Sequence, residues 1–147
     1  MKNHIIISLL ILLIGCSQPP KEYNQDDLNF DKNTNTFTIK FSDERPTGDC
    51  FQMMGNKKVI IGKIKYGLPQ GKWTTWYKNG QKNEEITFKN GKEDGVHTVW
   101  LENGQKRSYG TYKDGKKDGV FNYYTILGSE NLYSTKIWED GVLISDQ

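Results

Sequence analysis

Histidine, cysteine and long apolar runs are all scarce in this chain of 147 residues. The two histidines are His4 and His97, and the two cysteines are Cys16 and Cys50. With no second His or Cys pair near His97, a zinc site has nothing to build on. The segment from Asp114 resembles a calcium loop only superficially. Lys116 stands where the third position needs an oxygen ligand, and Thr125 where the twelfth needs Glu. Glu84 and Glu85 are adjacent on a strand and point to opposite faces, so they cannot serve as a paired acid and base. No G-x-S-x-G, phosphate loop or dinucleotide fingerprint occurs. The expectation is a protein without catalytic residues, metal or cofactor, and no enzyme. Charge of one sign is lacking too. The 20 basic and 18 acidic residues leave a net +2, which supplies no basic stripe for nucleic acid.

The one apolar run is Ile5–Ile14, broken only by Ser8 and preceded by Lys2. It is too short to span a bilayer and has the size of a signal-peptide core. It ends in Leu13-Ile14-Gly15-Cys16. This resembles the lipobox of bacterial lipoproteins. The resemblance implies that Cys16 is lipidated, becomes the new N-terminus, and anchors the chain to a membrane of the bacterial cell envelope, facing the periplasm or the surface. Cys50 then has no partner within the chain and reads as a buried, inert thiol, an intermolecular bridge or reactive thiol being the alternative. Residues 1–15 are expected to be the signal peptide, and residues 16–36, polar and containing Pro19-Pro20, a lipidated flexible tether. Residues 37–61 read as an N-terminal strand over Phe37–Phe41 with a capping loop, and residues 62–147 as the main domain.

That domain is one pattern repeated. G-K-W-T-T-W-Y-K-N-G-Q begins at Gly71, G-V-H-T-V-W-L-E-N-G-Q at Gly95, and G-V-F-N-Y-Y-T-I-L-G-S at Gly119, each 24 residues apart. A weaker copy begins at Gly62, and after Leu127 the spacing slips by two. Asn-Gly or Asp-Gly stands at 79–80, 90–91, 103–104, 114–115 and 140–141. These pairs signal tight hairpins, because both central residues of a type I′ turn need φ > 0. The runs between them are rich in Thr, Val, Ile and aromatics, which suit a pleated, half-buried surface. The fold class expected is all-β, an antiparallel meander of two strands per repeat. At 35% hydrophobic and 12% aromatic residues, it should bury rings rather than aliphatic bulk.

Residues 62–142 resemble the MORN-variant repeat of bacteria. Gly71, Trp73, Trp76, Tyr77, Asn79, Gly80, Phe88, Gly91, Asp94 and Gly95 carry the likeness in one unit. In the next it is carried by Gly95, Trp100, Asn103, Gly104, Gln105, Tyr112, Gly115, Asp118 and Gly119. The third unit departs from the pattern, with Leu127 in place of Asn, and reads as a terminal cap. The resemblance implies a hairpin array used for interaction. Some relatives carry the label of toxin–antitoxin system antitoxin.

With Asn79-Gly80 as a two-residue loop, Trp73 faces Ile86, and one face collects Ile64, Tyr66, Trp73, Tyr77, Ile86, Phe88, Val99, Leu101, Tyr112, Phe121 and Tyr123 as the core. His97 takes the strand position of Trp73 and Phe121 and reads as a packed ring rather than a base or ligand. Onto the opposite, polar face fall Trp76, Trp100 and Tyr124, one per repeat, about 9.5 Å apart. Such a row is either a binding stripe or the floor of a second layer formed by the N-terminal segment. Three functions remain. The first is a membrane-anchored interaction lipoprotein that binds a protein partner. The second is an antitoxin or immunity-like protein that neutralises a toxin. The third is a carbohydrate or cell-wall binding module.

Overall fold

The turns set the architecture. In the computed structural model, which describes residues 19–125 and 128–147, Asn90, Asp114 and Asp140 have φ of 50°, 50° and 48°. The glycines that follow them have φ of 83°, 83° and 87°, so each pair forms a two-residue type I′ hairpin. Tyr66-Gly67, with φ of 52° and 78°, makes a fourth such turn that has no Asn or Asp to announce it.

The Asn-Gly-Gln turns are different. Gly80 and Gly104 have φ of 86° and 84°, but Asn79 and Asn103 do not enter the positive region. Gly80 N–H donates to the Tyr77 carbonyl (3.0 Å), and Tyr77 N–H donates to Gln81 (2.8 Å). This is a three-residue loop with glycine in the left-handed position, and Leu101–Gln105 repeats it. The two-residue loop expected at Asn79-Gly80 is therefore replaced by a longer one. The pairing of Trp73 with Ile86 survives because an extra residue, Asn83, bulges from the returning strand between Thr75–Glu84 and Trp76–Lys82.

These turns link β5 (Lys57–Lys65), β6 (Leu68–Trp76), β7 (Lys82–Lys89), β8 (Lys92–Trp100), β9 (Lys106–Lys113), β10 (Lys116–Lys117), β11 (Gly119–Thr125), β12 (Gly128–Glu139) and β13 (Val142–Asp146). They form an antiparallel meander in which each strand pairs with the next, β10 pairing only with β9. Successive repeats are tied at the turn edge. The N–H groups of Gly67, Gly91, Gly115 and Gly141 donate to the carbonyls of Pro46, Pro69, Glu93 and Lys117, at 2.8 to 3.1 Å. The last three turns thus rest on the strand that leaves the turn before them, while the Gly67 turn rests on the segment ahead of Gly48.

Two expectations for the N-terminal third do not hold. Residues 42–58 are not simply a loop, because β4 (Gly48–Met54) pairs antiparallel with β5 and extends the sheet. The tether expected to run to residue 36 is ordered from residue 22. β1 (Glu22–Asn24) lies parallel to β4, and β2 (Leu28–Asp31) and β3 (Thr36–Ile39) make a separate hairpin. The segment is polar in composition, but Leu28, Phe30, Phe37 and Ile39 recur at strand spacing and find a partner face. Phe37 stacks on Trp73 at 5.3 Å with 7° between the rings, and its N–H donates to Gly67 (2.7 Å). A low apolar content suffices when the apolar residues share one side. The signal peptide expected at residues 1–15 and the lipidation expected at Cys16 lie outside the described residues.

The core is the face that carries Trp73. Leu28, Cys50, Ile61, Ile64 and Trp73 form its buried centre, with Tyr23, Phe37, Ile39, Trp76 and Phe88 packed against it, whereas Tyr66, expected on this face, is exposed in its turn. Farther along the same face, Phe121 is buried against Tyr112, Tyr123 and Trp138.

Candidate functional site

Each face of the sheet carries a recurring arrangement. Alternation from Trp73 turns Trp76 toward the outer side, although its ring also packs against the buried core cluster, and Trp100 and Tyr124 follow at equivalent positions. All three are partly buried rather than fully exposed. A register shift precedes every one of them, between Thr75 and Trp76, Val99 and Trp100, and Tyr123 and Tyr124. Bulges re-aim side chains and are over-represented beside functional sites. Lys82 lies 5.2 Å from the centre of the Trp100 ring and donates to Glu85 at 2.7 Å. Burial alone would raise the Glu85 carboxyl, but the hydrogen bonds and charges of Lys82 and Lys72 hold it below the usual range. Trp76 lines a groove of about 610 Å³ with Val59, Ile60 and Met54, and its indole N–H is buried without a partner. Ile60 and Met53 are about half exposed nearby.

On the inner face the sequence conceals a polar cluster. His97 Nε2 sits 2.7 Å from Glu84 Oε1, and Nδ1 sits 3.2 Å from Glu93 Oε2. The ring also packs on Tyr112, with centroids 5.4 Å apart. His97 is thus packed, as expected, but packed between two carboxylates. Burial by itself would lower its pKa; the hydrogen bonds and charges of Glu84 and Glu93 outweigh that and raise it to about 9. Burial, with help from Glu93, pushes the Tyr112 phenol up to about 12. The pair Glu84 and Glu85 is split between faces as expected, and the working pair is Glu84 with Glu93, nine positions on. A lone His with a Glu four residues before it on its own strand and another on the preceding strand was the available signal. Among the described residues, no group of His, Cys, Asp or Glu is arranged to hold a metal ion.

Lys117 marks the next repeat on this face. Its ammonium lies 4.9 Å from the Phe121 ring centre and 4.7 Å from that of Trp138, and it donates to the Tyr123 hydroxyl at 3.0 Å. The arrangement is a cation held by the chain's own aromatic residues.

Beside the His97 cluster, under the β2–β3 hairpin, lies a cavity of about 380 Å³. Leu28 and Phe37 roof it, and Trp73, Ile86 and Phe88 form its floor. Thr75 and Glu84, paired across β6 and β7, supply polar groups at one side. Cys50 also lines it. Burial raises the Cys50 thiol to about 11, which fits the inert reading.

The fold and these faces define an open antiparallel sheet of stacked hairpin repeats with two sided surfaces. Residues 69–90 and 93–114 each match the MORN repeat variant family, and these segments are MORN-variant repeats. No curated protein matches the chain, and no solved structure does.

Proposed function

We propose that this protein is a membrane-anchored, non-catalytic interaction lipoprotein of the bacterial envelope, whose repeat sheet binds a protein partner through its outer face. The observation that carries this reading is the row of Trp76, Trp100 and Tyr124, each placed directly after a bulge in the register. Aromatic rings offer large contact area at small entropic cost and are enriched where proteins dock. The groove beside Trp76 adds Met54, Val59 and Ile60, an adaptable apolar surface suited to a protein side chain. Alternating Lys and Glu around the row, including the Lys72–Glu85 and Lys82–Glu85 ion pairs, favour a mixed-charge protein surface over nucleic acid. The anchor rests on the Leu13-Ile14-Gly15-Cys16 lipobox likeness. A toxin is one such partner, and a cell-wall glycan is the competing ligand.

The test is crosslinking in intact cells, followed by recovery of the anchored protein. Replacing Trp76, Trp100 and Tyr124 together by Ala should remove the crosslinked protein while the chain stays folded and lipid-labelled. Unchanged recovery would overturn the outer-face assignment, and co-sedimentation with peptidoglycan that depends on the same three rings would favour the glycan. Loss of lipid labelling in Cys16→Ser tests the anchor separately.

A further inference from the structure

The repeat breaks its own strand pairing between β5 and β6. In the next repeat the equivalent strands, β7 and β8, pair from Lys89–Lys92 out to Glu84–Val99. β5 and β6 pair only from Lys65–Leu68 to Lys63–Gln70 and then part. Both strands continue beyond that point, Lys57–Gly62 held by β4 and Gly71–Trp76 by β7. Among the described residues, neither stretch has a strand on the side that faces the split. The Trp73 ring lies against Gly62 and closes the inner end. At the outer end the space opens into the groove of about 610 Å³ beside Trp76, and a groove of about 600 Å³ shares Met54 and Gly80 with it. Lys57, Lys58 and Lys78 line these grooves, and among the described residues no Asp or Glu does. Lys58 is held by Glu22, which leaves Lys57 and Lys78 exposed and without an ion-pair partner among the described residues.

We infer that the split between β5 and β6 takes an extended, acidic segment of the partner protein, its backbone against the open strand edges and its apolar side chains in the grooves. This rests on the reading of the sheet as a surface that docks a protein, and names the segment it takes. A strand edge without a neighbour is a template for an extended chain, because its N–H and C=O groups pair with any backbone. A helix bonds its own backbone and would cover these edges without pairing them. Side chains then set the choice of segment. Met54, Trp76 and the half-exposed Ile60 offer apolar contact, and Met adapts to the side chain it meets. Lys57 and Lys78 attract carboxylates and repel a basic segment. A flat anionic lipid surface would meet the lysines but leave the open edges unpaired.

The experiment titrates the full chain with a short synthetic peptide that alternates Asp with Ile, followed by NMR shifts along β5 and β6. The expected result is saturable binding with the largest shifts over Lys57–Gly62 and Gly71–Lys78, and several-fold weaker binding of the matched peptide with Lys in place of Asp. Lys57→Glu with Lys78→Glu should weaken the Asp peptide several-fold, and Ile60→Asp should abolish its binding. Lys113→Glu, outside the split, should leave it unchanged. All four positions are exposed, so each variant should keep the parent's spectrum elsewhere. No saturable shift, or equal binding of the two peptides, would overturn the assignment. Shifts at the same residues with phosphatidylglycerol vesicles but not with the peptide would overturn it in favour of a lipid surface. Trp100→Ala with Tyr124→Ala, also outside the split, should leave peptide binding intact. If that pair removes the crosslinked protein while the peptide fails to bind the parent, the docking row stands and the split assignment falls. If the peptide binds as expected while crosslinking ignores the row, the split stands and the row falls.

Discussion

A Cβ built on Gly110 would lie 2.3 Å from Cδ1 of Phe121, so the ring covers the bare glycine of the neighbouring strand. Two repeats earlier, Gly62 stands in the same relation to Trp73, again at 2.3 Å. In the repeat between them the equivalent positions hold Ile86 and His97, which pair directly. A large ring is met by glycine and the smaller imidazole by isoleucine, so the volume of each cross-strand pair is balanced. Gly110 lies outside the positive-φ region, so adding a methyl group tests packing alone. Gly110→Ala should destabilise by about 1–3 kcal/mol, the usual cost of overpacking. Urea unfolding with an unchanged midpoint would refute the account.

Gly80 offers the complementary test, because a Cβ there meets nothing within 4 Å while φ is 86°. Gly80→Ala isolates backbone strain and should cost about 1–2 kcal/mol. Gly80→Asn should cost less, since Asn tolerates the left-handed region. Equal melting temperatures for parent and Ala variant would mean that the loop changes its conformation freely.

The sequence reading of this region reached the right pairing through a wrong turn. The loop at Lys78–Gly80 is one residue longer than the type I′ turn that Asn-Gly suggests, and the bulge at Asn83 restores the count. Turn chemistry is local and can be read from residue types. A compensating bulge is fixed by strand pairing and leaves no mark of its own. The core face followed from alternation, since a single ring at Trp73 or Phe121 orients a whole strand. The hairpin at Leu28–Ile39 did not, because composition averages away four apolar residues that share one side. The His97 cluster was hidden for a related reason. Glu84, Glu93 and His97 lie on two strands, and a bulge between Ile86 and Phe88 decides which carboxylates flank the ring. The lipobox likeness over Ile5–Cys16 is a linear pattern that depends on no strand pairing.

His97 makes stability depend on pH. Its folded pKa of about 9 exceeds the ordinary 6.5, so the folded state holds the proton more tightly than the unfolded chain. The stabilisation is complete below the ordinary value and is lost as pH rises through the folded one. Solvent screening at the partly exposed Glu84 and Glu93 keeps the full loss on the order of 2–3 kcal/mol. Tyr112, pushed up to about 12, stays neutral through this window and does not mask the effect. Urea midpoints should fall between pH 6.5 and about 9, and Glu93→Gln should shrink the slope. A flat profile in the parent would show that the ion pairs do not hold the proton.

Cys50 is fully buried, and its thiol is raised to about 11 by that burial. Thiolate, not thiol, attacks disulfide reagents. The native chain should therefore react with such a reagent far more slowly than a free thiol near pH 8, and become fully reactive in denaturant. Rapid labelling under native conditions would mean that the seam between β4 and β5 opens readily.

The two tryptophans of neighbouring repeats, Trp73 and Trp100, separate the faces. Trp73 is 8% exposed, stacks on Phe37 and donates its indole N–H to the Lys63 carbonyl at 3.2 Å. Its truncation leaves a cavity between the hairpin and the sheet and unpairs that carbonyl. Trp73→Ala should then cost about 3–5 kcal/mol. Trp100 lies on the outer face, partly exposed, with Lys82 over its ring. It loses less contact on truncation, and the cation–π contact there contributes about 0.5–1 kcal/mol. Trp100→Ala should cost about 1–2 kcal/mol in all, within the common range for partly buried sites. The ratio of the two losses is the informative quantity, because a one-residue slip of register would exchange the faces and invert it. If Trp100→Ala unfolds the chain and Trp73→Ala is mild, the inner and outer faces are reversed and the docking row becomes core. If Trp73→Ala is the severe change, the faces are as described and the outer row carries the smaller share of the stability.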